Sequence, residues 1–83
     1  MWYVYILQCK NNTLYTGVTN DLERRFKGHL NKNTHYTSYN PPVGIVYKEE
    51  HSTKSLALKR EFEIKSWPRK KKLVLIQNNP FFV

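Results

Sequence analysis

The chain has 83 residues and carries 14 lysines and arginines against six acidic residues, a formal net charge of +8 that favours a polyanionic partner such as nucleic acid. A chain of this length has room for one small domain, taken here as residues 1–83, and its lone cysteine excludes an internal disulfide. The longest apolar stretch, residues 1–7, is far shorter than the roughly 20 residues of a membrane span, so we expect a cytoplasmic protein with no membrane partner.

The first two predicted elements form a β-hairpin. "WYVYILQC" is rich in aromatic and β-branched residues, residues 10–12 are typical of a turn, and "TLYTGV" resumes the strand pattern. If the loop has three residues, Tyr5 faces Gly17, and Tyr15 lies diagonally from Tyr5 on the same side of the hairpin. A two-residue Asn-Asn turn would place the tyrosines on opposite faces, and the pattern leaves both registers open.

A helix is predicted to follow from about Asp21 to Leu30, because Asn20 is a favourable N-cap and an acidic residue stands three positions later. At about 100° per residue, Arg25 and His29 project at the edge of the apolar stripe, toward the sheet. They either belong to a functional site or serve packing, with the Arg25 stem covering apolar surface. The stripe consists of Leu22, Phe26 and Leu30.

The second half of the chain adds one strand and two helices. A polar loop over residues 31–42 ends in two prolines, and "VGIVYKEEH" reads as a third strand. Ser52 or Thr53 can cap a second helix that extends to about Ser66, and Pro68 fits the first turn of a third helix, "PRKKKLVLIQ". The order ββαβαα predicts an α+β fold, a small antiparallel three-stranded sheet flanked by helices.

The second helix presents a carboxylate on its predicted buried side. Its apolar sector consists of Ala57, Leu58, Phe62 and Ile64. Glu61 projects into the middle of that sector at 100° per residue. A buried carboxylate without partners is very costly, so Glu61 must meet a cation, a set of hydrogen-bond donors or a metal ion. The structural alternative is an ion pair with Lys65, one turn further along the helix.

Positive charge is concentrated late in the chain. After Glu63 there is no acidic residue, whereas the run Lys70, Lys71 and Lys72 lies in the third predicted helix. Such a run is either a surface for nucleic acid or a solvated helix face. No base-reading element accompanies it, so we expect binding to be mainly electrostatic and to weaken steeply with salt.

Four stretches of the chain resemble the GIY-YIG nuclease superfamily, specifically its small stand-alone members: "YVY" at 3–5, "YTG" at 15–17, "DLERRFKGH" at 21–29 and "ALKREFEIKSW" at 57–67. Two positions depart from the family pattern. Tyr3 replaces the usual first glycine, and Ser38 stands where close relatives often have an arginine. The residues that the resemblance assigns to the site are Tyr5, Tyr15, Arg25, His29, Glu61 and a C-terminal asparagine, for which Asn79 before Pro80 fits better than Asn78. Gly17, which ends the "YTG" stretch, would leave room above the Tyr5 ring.

The resemblance implies a metal-dependent endonuclease that hydrolyses DNA phosphodiester bonds with low sequence specificity. Glu61 would hold one mostly hydrated Mg²⁺ or Mn²⁺ ion, and Arg25 would clamp a phosphate oxygen. Tyr5 is favoured as the general base and Tyr15 as a positioning donor, although the sequence allows these roles to be exchanged. His29 would relay a proton or hold a tyrosine or phosphate.

Two alternatives from other classes stay open. One is a non-catalytic nucleic-acid-binding module that keeps the basic surface, and the other is an accessory protein in DNA repair whose charge serves a protein partner. A protein partner could also supply specificity to an active nuclease, because the sequence contains no separate recognition element.

Overall fold

The computed structural model describes the backbone of residues 1–31 and 42–79 and the side chains of residues 1–27 and 43–79. The predicted loop over residues 31–42 therefore lies outside the described residues, apart from its two ends. The observed order ββαβαα confirms the predicted α+β class. The elements are β1 (Trp2–Cys9), β2 (Leu14–Thr19), α1 (Leu22–Asn31), β3 (Pro42–His51), α2 (Lys54–Lys65) and α3 (Arg69–Asn78). Of these described helices, none is long and apolar enough to cross a membrane.

The sheet is antiparallel, with strand order β2-β1-β3. Because β1 lies in the centre and helices cover both faces, four consecutive β1 residues, 4–7, are fully buried. Such a strand reads as a continuous apolar run instead of an alternating one. The predicted three-stranded sheet flanked by helices is therefore confirmed.

The hairpin loop between β1 and β2 has three residues. The Cys9 N–H donates to the Thr13 carbonyl at 2.9 Å, and the Asn12 N–H donates to the Cys9 carbonyl at 2.8 Å. Asn12 has φ 69°, the left-handed conformation that a three-residue hairpin loop needs at its last position and that asparagine tolerates. The three-residue alternative is confirmed, and it sets the register in which Tyr5 pairs with Gly17.

The two faces of the sheet pack against different helices. On one face α1 contributes Leu22 and Phe26, which cover a cluster of Tyr5, Leu7, Cys9 and Ile45 together with Tyr15. On the other face α2 and α3 cover a cluster of Val4, Ile6, Val46, Tyr47, Ala57 and Ile64, joined by half-buried residues that include Trp67, Leu75 and Ile76. Tyr5 of the "YVY" stretch and Tyr15 of the "YTG" stretch therefore share the α1 face.

The helix starts differ slightly from the predicted ones. Asp21, and not Asn20, caps α1, because the Asp21 carboxylate accepts from the Arg24 N–H at 3.1 Å. Thr53 is the observed cap of α2, with its hydroxyl accepting from the Leu56 N–H at 3.2 Å. Pro68 occupies the N-cap position of α3, just before the first helical turn.

Candidate active site

Tyr5 and Gly17 meet across the hairpin with almost no space between them. The Tyr5 side chain is fully buried on the α1 face. A Cβ atom added to Gly17 would lie 2.5 Å from the Tyr5 hydroxyl oxygen and 2.6 Å from its Cζ. Gly17 does not have a positive φ, so space and not backbone conformation requires a glycine here.

Gly17→Ala is expected to destabilise the protein, because the added methyl group must displace a buried ring. Overpacking of this kind costs about 1–3 kcal/mol, and each kcal/mol lowers the melting temperature of a domain this small by about 4–8 °C. Thermal unfolding followed by circular dichroism measures the change. In a Tyr5→Leu background the same substitution should cost much less, since the ring is absent; an equal cost in both backgrounds would contradict the steric explanation.

Arg25 joins the two tyrosines. Its Nε donates to the Tyr5 hydroxyl at 3.2 Å, and Tyr15 also interacts electrostatically with its guanidinium. The hydrogen bond to Tyr5 raises the pKa of Arg25 above its ordinary value, and the charge of Tyr5 adds to this rise. The guanidinium is therefore fixed in its charged form. Arg25 itself is exposed. The exposed guanidinium can therefore bind an anion while its Nε donates to the buried phenol.

Burial dominates the acidity of Tyr5. It raises the pKa of Tyr5 above 10.0, the charges of Tyr15 and Glu61 raise it further, and the hydrogen bond and charge of Arg25 oppose the rise without cancelling it. The Tyr5 phenol is therefore neutral at physiological pH. Because the pKa of Tyr5 is raised in the folded state, neutral Tyr5 contributes stability below about pH 10. This contribution is lost as the pH rises through the folded pKa.

Glu61 is half-buried on α2, with 20% of its side chain exposed. Its Oε2 lies 3.6 Å from Lys65 Nζ, so the ion pair that was the structural alternative is present, though at a distance longer than a hydrogen bond. Its negative charge also contributes to the raised pKa of Tyr5. The carboxylate therefore has Lys65 on one side and acts electrostatically on the tyrosine site. Among residues 1–27 and 43–79, no group of three or more His, Cys, Asp or Glu side chains forms a metal cluster.

The buried side of α2 differs from the predicted one. Ala57 and Ile64 are buried as expected, but Leu58 is 44% exposed and Phe62 is 78% exposed. Ala57 and Ile64 lie on one line along the helix, with Leu58 and Phe62 on one side of it and Arg60 on the other. The helix is rotated so that the side with Arg60 faces the sheet. Glu61 consequently lies at the edge of the buried side and not in its middle. The prediction that Leu58 and Phe62 complete the apolar sector was wrong.

A second polar cluster, on the α2 face of the sheet, escaped the sequence analysis. The Glu49 carboxylate accepts from the Tyr47 hydroxyl at 2.6 Å and from Arg60 Nε at 3.1 Å, and it lies 2.6 Å from His51 Nε2. Arg60 also contacts Glu63. The available signal was the period of two in β3, which places residues 47, 49 and 51 on one face. We call these four residues, Tyr47, Glu49, His51 and Arg60, the Glu49 cluster.

The other predicted site residues are not all brought to the tyrosines. His29 is part of α1, but its side chain lies outside the described residues. Asn79 is exposed, and its amide donates to the Leu75 carbonyl at 3.0 Å, where it caps α3. The run Lys70–Lys72 follows Arg69 in the first turn of α3, which packs on the face opposite Tyr5 and Tyr15. Lys71 Nζ lies 4.2 Å from the centre of the Trp67 ring.

Comparison with known proteins decides the family. The family model described as the GIY-YIG catalytic domain matches residues 1–73. The chain belongs to the GIY-YIG family. Within this family, it is 51% identical over 75 residues to a UPF0213 protein of Staphylococcus saprophyticus, an alignment that covers 89% of this chain and 92% of that protein.

Other small GIY-YIG proteins are similar over nearly the whole chain. A UPF0213 protein of Xanthomonas axonopodis is 40% identical over 80 residues, which covers 95% of this chain and 78% of that protein. The solution NMR structure of a UPF0213 protein of Bacillus halodurans superposes with a TM-score of 0.59 at 32% identity, and it covers 93% of this chain and 84% of that one. The predicted resemblance to small GIY-YIG proteins is confirmed. Membership implies the nuclease superfamily, and the names of these relatives state no reaction.

Proposed function

We propose that this chain is a single-domain, metal-dependent endonuclease that hydrolyses DNA phosphodiester bonds with low sequence specificity. The observation that carries the proposal is the exposed Arg25 guanidinium, which is hydrogen-bonded to Tyr5. Tyr15 and Glu61 act electrostatically on the same pair. A cation, two phenols and a carboxylate together supply the anion clamp, proton handling and metal ligand that phosphodiester hydrolysis needs. We propose a cytoplasmic location, in which the free and buried thiol of Cys9 stays reduced.

The donor set fits a weakly held Mg²⁺ or Mn²⁺ ion. Glu61 is a hard oxygen ligand with part of its surface open to water, and Lys65 at 3.6 Å contacts it loosely enough to be displaced. Mg²⁺ commonly binds one or two carboxylates and keeps several of its waters. When bound, the ion would supply positive charge to a phosphate oxygen and to the leaving oxygen.

Arg25, Tyr5 and Tyr15 are proposed to bind the phosphate and to handle the proton of the attacking water. With Nε on Tyr5, the Arg25 fork presents its exposed donors to a second phosphate oxygen. Tyr5, which its raised pKa keeps neutral, is suited to donating a hydrogen bond and not to giving up its proton. Tyr15, which is half-buried and reached by solvent, is then the better-placed base. This exchanges the two roles favoured by the sequence, and His29 keeps its proposed role. The Asn79 amide instead donates to the Leu75 carbonyl at the end of α3, on the face opposite the tyrosines.

Tyr15→Phe is expected to reduce kcat more than Tyr5→Phe does. Loss of a general base costs about 10²–10⁴-fold, whereas loss of one hydrogen-bond donor to a charged group costs about 10–100-fold. Single-turnover rates between pH 6 and 10 measure both effects. If Tyr5→Phe alone removes the pH dependence of cleavage, Tyr5 is the base and the assignment to Tyr15 is wrong.

The test of function is cleavage of plasmid and branched DNA by metal-stripped protein with and without Mn²⁺. The expected result is nicking that requires both the metal and an intact Glu61. The Glu61→Gln variant, purified in parallel, separates this activity from a contaminating nuclease. DNA binding without cleavage by the parent protein would refute the endonuclease.

One observation favours the non-catalytic alternative, namely the contact between Glu61 and Lys65. In a nucleic-acid-binding module that had lost its reaction, this pair would be purely structural and Mn²⁺ would have no effect. Calorimetric titration of Mn²⁺ into the parent protein and into Glu61→Gln distinguishes the two. Mn²⁺ binding that depends on Glu61 supports a metal site. If the parent protein binds no Mn²⁺ even in the presence of DNA, the non-catalytic module is supported.

Replacing Lys70, Lys71 and Lys72 together by glutamine is expected to weaken DNA binding and reduce its salt dependence. Each phosphate contact contributes about −0.9 to the slope of log K against log salt, so three lost contacts reduce the slope by at most about 3. Cleavage of bound DNA should change little, because α3 packs on the face opposite the tyrosines.

The matched control removes three exposed lysines elsewhere, Lys10, Lys27 and Lys59. Both triple variants lose the same charge, so fluorescence-anisotropy titrations at several salt concentrations isolate the effect of position. If affinity and slope stay unchanged in the α3 variant, the run is a solvated helix face.

A further inference from the structure

The Glu49 cluster joins β3 to α2 immediately beside the residue proposed to hold the metal. Arg60 directly precedes Glu61, and its Nε donates to both oxygens of Glu49 at 3.1 Å. The Arg60 guanidinium also lies 5.0 Å from the centre of the Trp67 ring. The ion pair is half-buried, with 28% of Arg60 and 18% of Glu49 exposed.

The electrostatics of the cluster keep its carboxylate charged. Burial alone would raise the pKa of Glu49, but hydrogen bonds from Tyr47, His51 and Arg60, with the charge of Arg60, lower it below its ordinary value. Burial and the bond to Glu49 raise the pKa of Tyr47 to about 12, so this phenol stays a donor at neutral pH. Arg60 therefore faces a permanent negative charge on β3.

The apolar pattern of α2 does not by itself specify how the helix is rotated. The buried residues Ala57 and Ile64 lie on one line along the helix. Arg60 flanks this line on one side, whereas the exposed Leu58 and Phe62 lie beyond Glu61 on the other. Rolling the helix toward Leu58 and Phe62 would bury more apolar surface. It would also take Arg60 away from Glu49 and bring Glu61 into the middle of the buried side.

We propose that the Glu49–Arg60 ion pair fixes the rotation of α2 and thereby keeps Glu61 at the water-accessible edge of the helix. Glu49 and Arg60 are positioning residues in this scheme, since they act on the metal site only through the orientation of Glu61. The consequence for catalysis rests on the proposed endonuclease function. The consequence for helix rotation does not, so the two are tested separately.

Helix rotation is measured by thiol labelling of a Leu58→Cys variant, in which Phe62 still favours the roll. Cys9 is fully buried and is the only native cysteine, so it gives little background in the folded protein. Adding Glu49→Gln is expected to slow the labelling of residue 58 severalfold, because the roll buries that position. Adding Glu63→Gln, which removes the other and more exposed carboxylate that contacts Arg60, should leave the rate unchanged.

The functional consequence is read from metal dependence. Glu49→Gln should raise the Mn²⁺ concentration needed for half-maximal cleavage, because rolling Glu61 inward makes its carboxylate harder for a hydrated ion to reach. Adding Phe62→Ser removes the apolar incentive to roll and should restore both the labelling rate and the metal dependence. A merely stabilising ion pair would show no such rescue.

The outcomes separate the two proposals. Unchanged labelling of residue 58 in folded Glu49→Gln overturns the rotational role, whatever the activity. Slowed labelling without any nuclease activity in the parent protein keeps the rotational role and refutes the endonuclease. If Glu49→Gln does not fold, as judged by circular dichroism, Arg60→Met carries the same test, since it keeps an apolar stem against Trp67 and loses the charge and the hydrogen bonds to Glu49.

Discussion

Glu61→Gln is expected to abolish metal-dependent DNA cleavage while the protein keeps its fold and its affinity for DNA. Glutamine preserves the size of the side chain but not its charge, so a hydrated Mg²⁺ or Mn²⁺ ion loses the carboxylate proposed to hold it. A bound metal contributes several kcal/mol of charge stabilisation, and we therefore expect kcat to fall by about 10³-fold or more. Plasmid nicking measured across a range of Mn²⁺ concentrations gives the value.

The thermal midpoint of Glu61→Gln should equal or exceed that of the parent protein. Lys65 is 51% exposed and lies 3.6 Å from the carboxylate, and such pairs contribute little to stability. Removing a half-buried charge also relieves its desolvation cost. This combination of lost activity and retained stability is what distinguishes a metal ligand from a structural ion pair.

The matched control is Glu23→Gln, which breaks another pair of the same i, i+4 spacing. Glu23 lies 3.2 Å from Lys27 on α1, and both side chains are largely exposed. Its loss should affect neither cleavage nor Mn²⁺ dependence. A catalytically normal Glu61→Gln variant would refute the one-metal mechanism, whatever its stability.

Arg25→Lys is expected to lower the cleavage rate by about 100-fold or more, the usual effect of removing one donor to a transition-state oxyanion. Lysine keeps the positive charge but loses the planar fork, so it cannot present a fixed pair of donors to phosphate while another N–H holds the Tyr5 hydroxyl. The melting temperature should change little because Arg25 is exposed. Single-turnover rates at saturating protein separate the effect on chemistry from any effect on binding.

Arg24→Lys supplies the control for Arg25→Lys. Arg24 is the neighbouring exposed arginine on α1, and its guanidinium bonds to the Asn20 side chain at 3.3 Å, outside the tyrosine site. Its replacement should leave kcat within error of the parent value. Full activity in Arg25→Lys would show that the fork does not clamp phosphate, and a large fall in its melting temperature would support a structural role.

The hairpin illustrates what local sequence could and could not predict. Strand composition and the turn-forming residues predicted the hairpin itself, but two loop lengths fitted the Asn-Asn sequence equally well. The left-handed conformation of Asn12 and the bond from Cys9 to Thr13 selected the three-residue loop. That choice places Tyr15 on the same face as Tyr5, because a shift of one residue turns every side chain to the other face.

Helix α2 illustrates the limit of periodicity. Its existence and its Thr53 cap were predictable, since they depend on residues close together in sequence. Its rotation was not predictable. Leu58 and Phe62 fit a helical apolar pattern but are exposed, whereas Arg60 and Trp67, which lie on the side that faces the sheet, do not fit it. The observed rotation depends on Glu49, which lies 11 residues before Arg60 and on a different element.

The sequence by itself determined the order of elements, the family and the identity of the candidate site residues, because these are carried by local propensities and by four short motifs. Tertiary structure alone decided which of those residues meet. It brought Arg25 to Tyr5 across 20 positions and buried that phenol, and so raised the pKa of Tyr5. It also turned Glu61 to the edge of α2 through an ion pair with β3. Burial and long-range ion pairs depend on which surfaces exclude water together, and only the folded chain specifies those surfaces.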